Sequence, residues 1–339
     1  MGKKRSKTSK KTSRRSKKRT VRVAMIGAGG MANAVHYPSL ASFDDVTIAG
    51  ICDIDEGRLN ETADKYSIEK RYTDYRRMID EVAPDGVYAV GPPHIMYDIW
   101  VWLLQQGLNI YTEKPMGMSF HQARMLAYLA EEHGCITQVS FQRRNSPLLV
   151  KMRKACLARG PIVHAICEFH KCNLVPYTGS SGFMIDDAIH AIDTVRWMCG
   201  GEVVDVQSRT KRACVPDINW IHADIQFDTG AIGFVQVNMS SGRRVFRVQM
   251  HAPGISTDAE VEGKAYLYKD NDYHGDVFDT KEVAGSNENY VFGGFQSKNR
   301  EFIDSLKTGK TVCSSPYSDA IKTMEVADII LAQSILSGI

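Results

Sequence analysis

Residues 20–53 constrain this chain more than any other stretch. An apolar run, Val21-Arg22-Val23-Ala24-Met25-Ile26, is followed by Gly27-Ala28-Gly29-Gly30, a segment of helical character, a second apolar run over 46–52, and Asp53. A strand that is apolar almost throughout is buried on both faces, as in the centre of a parallel sheet. Gly27 permits a tight turn where a Cβ would clash, Gly29 lets backbone approach a ligand, and Ala32, in place of a third glycine, keeps helix and sheet close. The free N–H groups opening the helix near Gly30 suit a phosphate at the positive end of the helix dipole. Asp53 is placed to accept hydrogen bonds from ribose hydroxyls. Strand, glycine loop, helix, strand and acid in this register form the dinucleotide-binding fingerprint. A carboxylate at Asp53 repels a 2′-phosphate, so NAD is favoured over NADP.

At 339 residues the chain is long enough for two domains. Its eight cysteines form no CxxC pair, which suits a reducing compartment and argues against structural zinc; no metal site is expected. The net charge of +3 conceals an asymmetry: residues 1–20 carry eleven Lys or Arg and no acid, leaving 31 basic against 39 acidic side chains in the rest. Such a tail cannot bury apolar surface and should be disordered, a solvated extension or the product of an early start codon. Nonspecific polyanion contact or an address signal are its other readings, and no module for specific nucleic-acid recognition accompanies it. Basic residues ahead of 21–35 imitate a secretory signal, but cleavage at Ala32-Asn33-Ala34 would destroy the fingerprint. Lys17 and Lys18 likewise spoil the twin-arginine pattern at Ser13-Arg14-Arg15. With no apolar run near membrane-span length, the expectation is a cytoplasmic protein without membrane contact.

Apolar runs at 86–90, 108–111 and 137–141 alternate with helical patterns at 95–106 and 119–133, which implies a doubly wound parallel sheet over 21–141. Strands then dominate, with extended segments at 201–209, 221–227, 231–239 and 244–251 and a hairpin signal at Asp228-Thr229-Gly230. Residues 142–339 therefore read as an α+β domain with a large, mostly antiparallel open sheet, closed by an amphipathic helix at 318–336.

Two clusters carry chemistry. Tyr111-Thr112-Glu113-Lys114-Pro115 follows a strand, so Lys114 lies at the carboxyl edge of the sheet, where ligands bind. In the helical segment 182–197, spacings of four and three set Asp186, His190 and Asp193 along one face. A carboxylate one turn from a histidine orients the ring and tunes its basicity.

The motifs Gly27-Ala28-Gly29-Gly30-Met31-Ala32 with His36, Glu113-Lys114-Pro115, and Asp186-x3-His190-x2-Asp193 together resemble the glucose–fructose oxidoreductase, inositol dehydrogenase and MocA family over essentially everything after residue 20. The resemblance implies a Rossmann domain, a second α/β domain with an open sheet, and association through that sheet into homodimers or homotetramers. It also implies hydride transfer between nicotinamide and a sugar, cyclitol or related polyol. Lys114 then resembles the catalytic lysine, Asp186 the substrate-side aspartate and His190 the general base. Cofactor contacts fall to Gly27, Gly29, Gly30, Met31, Asp53, Pro92, Glu113 and Lys114. Met96 stands where relatives often have a histidine, and Asp187-Ala188 replaces an apolar residue and glycine.

The remaining polar residues near the cleft, Arg143, Lys171, Asn173, Tyr177 and Asp187, are candidate contacts for a polyhydroxylated substrate, with structural ion pairing the alternative for Arg143 and Arg144. The expected activity is an NAD-dependent dehydrogenase or reductase acting on CH–OH groups. The competing readings are a sugar- or nucleotide-sensing regulator of the same fold, and a glycosidase or lyase with tightly bound NAD.

Overall fold

The computed structural model describes residues 20–179 and 182–336; the expectations attached to residues 1–19 of the basic tail lie outside the described residues. Six strands, β1 (Val21–Ile26), β2 (Val46–Cys52), β3 (Arg71–Tyr72), β4 (Gly86–Ala89), β5 (Ile110–Thr112) and β6 (Thr137–Val139), form a parallel sheet in the order β3-β2-β1-β4-β5-β6. Only Arg22 of β1 is exposed, as the sequence required of a strand covered on both faces. The chain winds outward from β1 in both directions, so a crevice opens where the carboxyl ends of β1 and β4 diverge. Helix Pro93–Gln105 starts on a proline and buries Met96, Trp100, Leu103 and Leu104 along one face.

Eight further strands form the second sheet: β7 (His164–Cys172), β8 (Val203–Lys211), β9 (Trp220–Phe227), β10 (Ile232–Asn238), β11 (Ser240–Ala252), β12 (Ile255–Glu260), β13 (Lys264–Lys269) and β14 (Asp276–Asp279). Their order is β14-β13-β12-β11-β7-β10-β9-β8, antiparallel except for the β7–β10 pair. Asp228-Thr229-Gly230 does turn β9 into β10, with Gly230 at φ +81°. Alternate residues such as Ala165, Cys167 and Phe169 face the core. Helix Ile189–Cys199 crosses that face so closely that a Cβ on Gly233 would lie 2.2 Å from the Val195 side chain. The opposite face, with His222, Asp224, Gln236 and Gln249, is only half-buried.

The helix expected over 182–197 is real but not uniform: Met184–Ala188 winds as a π-helical turn before helix Ile189–Cys199. Helix Phe295–Thr308 returns to the first sheet and adds Phe302, Ile303 and Leu306 to the core around Val21, Val23 and Tyr88. Burial opposes ionisation of Asp45, yet hydrogen bonds from Lys307 and Arg300 of this helix hold its pKa at about 2. Among the described residues, no helix is long and apolar enough to cross a membrane, and no group of three or more His, Cys, Asp or Glu is placed to hold a metal ion.

Candidate active site

The glycine loop leaves β1 at the switch point. Gly27 has φ +104°, and a Cβ there would lie 1.9 Å from the Val90 carbonyl oxygen, so no other residue fits. A Cβ on Gly29 or Gly30 would meet nothing within 4 Å. Those two glycines, with Met31, Arg58, Pro92, His94, Glu113, Lys114, Tyr177, Gly179 and Asp186, line a cavity of about 560 Å³. An open backbone cradle before a helix, in a cavity of ligand-binding size, fits a dinucleotide pyrophosphate. Asp53 lies beside the cavity. Its Oδ2 accepts from Ala28 N (2.7 Å), and its Oδ1 from Asp55 N (2.8 Å) and Arg58 Nη2 (3.2 Å). The carboxylate thus clamps the glycine loop to the end of β2, while Oδ2 keeps acceptor capacity for a hydroxyl.

Across the cavity, Lys114 Nζ donates to the Asp186 backbone oxygen (2.6 Å) and to its Oδ1 (3.0 Å). Asp186 belongs to the π-helical turn, where backbone pairing is shifted from the α-helical pattern; such turns recur at functional sites. Tyr177 Oη donates to Asp186 Oδ2 at 2.9 Å. Burial disfavours the Asp186 charge, but Lys114 and Tyr177 together hold its pKa below the ordinary aspartate range. The Lys114–Pro115 bond is cis.

His190 lies behind this pair rather than on the cavity wall. Its ring is 6.4 Å from that of Phe169, and Nδ1 is buried with no hydrogen-bond partner among the described residues. Burial, and then the positive charges of Lys114, Arg143, Lys171 and Arg244, push its pKa well below that of an ordinary histidine. The imidazole is neutral at pH 7 and able to accept a proton.

Asp193, expected on one helix face with Asp186 and His190, has its carboxylate committed to a buried ion pair rather than to the cavity. Asp193 is 1% exposed and takes two bonds from Arg144, Nε to Oδ2 at 2.9 Å and Nη2 to Oδ1 at 2.6 Å. Arg144 also pairs with Asp319, which Arg196 joins. Asp193 keeps its three-residue spacing from His190 within helix Ile189–Cys199, but its carboxylate is taken by Arg144 and by the Thr323 hydroxyl (3.0 Å to Oδ1). Arg144 is therefore a structural ion-pair partner.

The remaining candidates, Arg143, Lys171, Asn173 and Asp187, do not line the cavity. Lys171 Nζ pairs with Asp187 Oδ1 at 2.5 Å. Arg143 is buried against the Phe246 ring and donates to Glu262 Oε1 at 3.1 Å. Asn173 is held through its backbone, N to Met239 O at 2.7 Å.

His36 appeared in the sequence as part of a motif without a role. It is fully buried, with Nε2 at 2.8 Å from Glu113 Oε1 and Nδ1 at 3.3 Å from Asn299 Oδ1. Asn299 commits its Nδ2 to Phe295 O (2.7 Å), which turns Oδ1 toward the ring and makes Nδ1 the donor. The 2.8 Å Nε2–Oε1 contact ties the ring to the Glu113 carboxyl. Arg58, His94, Gly179, Arg244 and Glu262 also escaped the sequence reading, because each lies outside the strand-end motifs.

Residues 21–141 match the profile of an oxidoreductase family with an NAD-binding Rossmann fold, and residues 159–254 match the GFO/IDH/MocA C-terminal domain. The chain is 23% identical over 301 residues to a myo-inositol 2-dehydrogenase of Thermotoga maritima, covering 85% of this chain and 86% of that one. It is 26% identical over 233 residues to a scyllo-inositol 2-dehydrogenase (NAD(+)) of Bacillus subtilis, covering 65% and 68%. A solved levoglucosan dehydrogenase in complex with NADH and levoglucosan superposes with a TM-score of 0.80 at 18% identity, over 94% of this chain and 98% of that one, a likeness of fold.

Proposed function

The chain belongs to the GFO/IDH/MocA family of NAD-binding oxidoreductases, and from that premise we propose that it transfers hydride between NAD and a hydroxyl-bearing carbon of a small polyhydroxylated molecule, a sugar or cyclitol. The observation that carries this reading is Lys114 fixed on Asp186 at the edge of the cavity that contains the glycine cradle. Residues 21–141 form the cofactor half and residues 142–339 the substrate half. Two relatives named as inositol dehydrogenases support the substrate class.

Gly29, Gly30, Met31, Arg58, Pro92, Glu113 and Lys114 are the residues that would hold the dinucleotide. Bound there, NAD supplies the hydride acceptor. His190, neutral in this setting, takes the hydroxyl proton of the substrate. The Lys114 ammonium stabilises the charge that develops on that oxygen, and Asp186 keeps the ammonium aimed. Reduction of the carbonyl uses the same groups in the opposite sense. The half-buried face of the second sheet is the surface through which two copies would associate in a homodimer, and pairs of such dimers would make a tetramer.

The test is NADH formation by the purified chain with NAD or NADP against cyclitols, aldoses and glycosides, beside His190→Ala. Turnover with one class, lost in the variant, supports the reading. Tight NADH binding with no turnover across the panel overturns it.

A further inference from the structure

The surroundings of His190 carry more positive charge than a site for a neutral polyol needs. Lys171 Nζ lies 5.0 Å and the Arg244 guanidinium carbon 5.9 Å from the centroid of the Phe169 ring, which itself adjoins His190. Phe169 packs on Phe246 at 5.0 Å, and Arg143 lies 4.7 Å over that second ring. With Lys114, four cationic side chains lie in the neighbourhood of His190, three of them stacked on the Phe169 and Phe246 rings beside it. Three acids answer them: Asp186 for Lys114, Asp187 for Lys171, and Glu262 for both arginines. Both guanidinium groups donate to the same Glu262 oxygen, Oε1, at 3.1 Å from Arg143 and 2.9 Å from Arg244. Arg143 is only 9% exposed in its side chain, and its Nε is buried with no hydrogen-bond partner among the described residues. Among the described residues, four cations thus face three acids and one buried donor has no partner, while Arg244 itself is half-exposed and open to a ligand.

The backbone is shaped to bring Arg244 there. Between Ser240, which pairs with Cys172, and Val245, which pairs with His170, β11 carries more residues than β7 opposite it. Such a bulge re-aims side chains. Arg244 is swung over Phe169, whereas Arg247, further along β11, points the other way to pair with Asp258.

We propose that the substrate presented to His190 carries an anionic group, a carboxylate or a phosphate, that docks on Arg244 and Arg143 with Lys171 beside it. The proposal deepens the dehydrogenase reading and rests on it for the position of the reacting carbon. A planar guanidinium pair suits either oxyanion, and the anion would supply the missing countercharge.

Calorimetric titration of the NADH-loaded protein with glucuronate, glucose 6-phosphate and glucose, followed by turnover of the same three and of myo-inositol with NAD, tests it. One of the two anions is expected to bind at least tenfold more tightly than glucose, and which one it is identifies the oxyanion. Arg244→Gln should bring that preference to within twofold, Arg247→Gln should leave it intact, and Glu262→Gln should increase it severalfold. Equal binding of all three probes, or a preference that survives Arg244→Gln, overturns the anion site; myo-inositol turnover in that case leaves the dehydrogenase reading standing. Arg244-dependent anion binding without turnover of any probe would uphold the anion site and count against the dehydrogenase instead.

Discussion

Lys114 Nζ is bonded to both the backbone oxygen and the side chain of Asp186, at 2.6 and 3.0 Å, so one ammonium group joins the carboxyl edge of the first sheet to the first turn of the helix that carries His190. The two halves of the site are thereby held at a fixed separation across the cofactor cavity.

Replacing Lys114 by Ala removes the cation that the proposed mechanism sets at the reacting oxygen. Turnover should fall by about two to three orders of magnitude, the range for a lost donor to a developing oxyanion. NADH affinity, measured by fluorescence titration, should change far less. An equal loss in both would make Lys114 a cofactor ligand only.

His190→Ala should lower kcat by about two to four orders of magnitude. Because burial and neighbouring cations depress the His190 pKa, the acid limb of kcat/KM in the native protein should lie below about 6.5, the ordinary histidine value. For stability the sign follows from the same depression. The unfolded chain takes up this proton first, so His190 begins to weaken the fold as pH drops below about 6.5, and the loss continues until the folded-state pKa is reached. An acid limb above that value would exclude His190 as the base.

Tyr177→Phe deletes the hydroxyl that bonds Asp186 Oδ2. The Asp186 pKa should rise, and kcat should fall by about tenfold, the worth of one hydrogen bond to a charged group. A pH–rate profile compares the two proteins, and an unaltered profile would remove Tyr177 from the site.

Asp193→Ala tests the corrected role of that residue. It strands the buried Arg144 guanidinium, and breaking a buried pair from one side costs about 3–5 kcal/mol. Denaturant unfolding should show the loss. Protein that remains folded should keep most of its turnover, whereas a large catalytic defect at unchanged stability would return Asp193 to the chemistry.

His36→Leu leaves Glu113 Oε1 without its buried hydrogen-bond partner. Cofactor binding should weaken by about tenfold, and His36→Gln, whose amide can donate to the same oxygen, should recover part of it. Equal loss in both variants would reduce His36 to packing.

The first sheet was legible because each of its signals is local. Val21–Ile26 is apolar almost throughout, Gly27 sits where φ must be positive, and Asp53 closes the next strand. The open second sheet followed from successive extended segments and from the turn at Asp228-Thr229-Gly230. The site was legible only where a motif sits at a strand end or on a helix face, as for Lys114 and Asp186. Helical spacing set Asp193 three residues from His190 but does not tell which partner a carboxylate finds, and Arg144, 49 residues away in sequence, takes it. Arg244, Glu262 and Asn299 could not be found: each reaches the site by a long-range fold contact, and none sits at a spacing that anticipates it.

Helix Phe295–Thr308 gives the molecule an order of maturation. Phe302, Ile303 and Leu306 complete the apolar layer beneath β1 and β4, a Cβ on Gly86 would press within 2.7 Å of Leu306, and Asn299 sets the hydrogen-bond direction of His36. During synthesis the nucleotide-binding half leaves the ribosome long before these residues do. The part of its first sheet that Phe302, Ile303 and Leu306 cover is therefore left unsealed until the whole second sheet has followed. A nascent chain stalled before residue 295 would present an apolar sheet face to chaperones instead of a finished cofactor cradle.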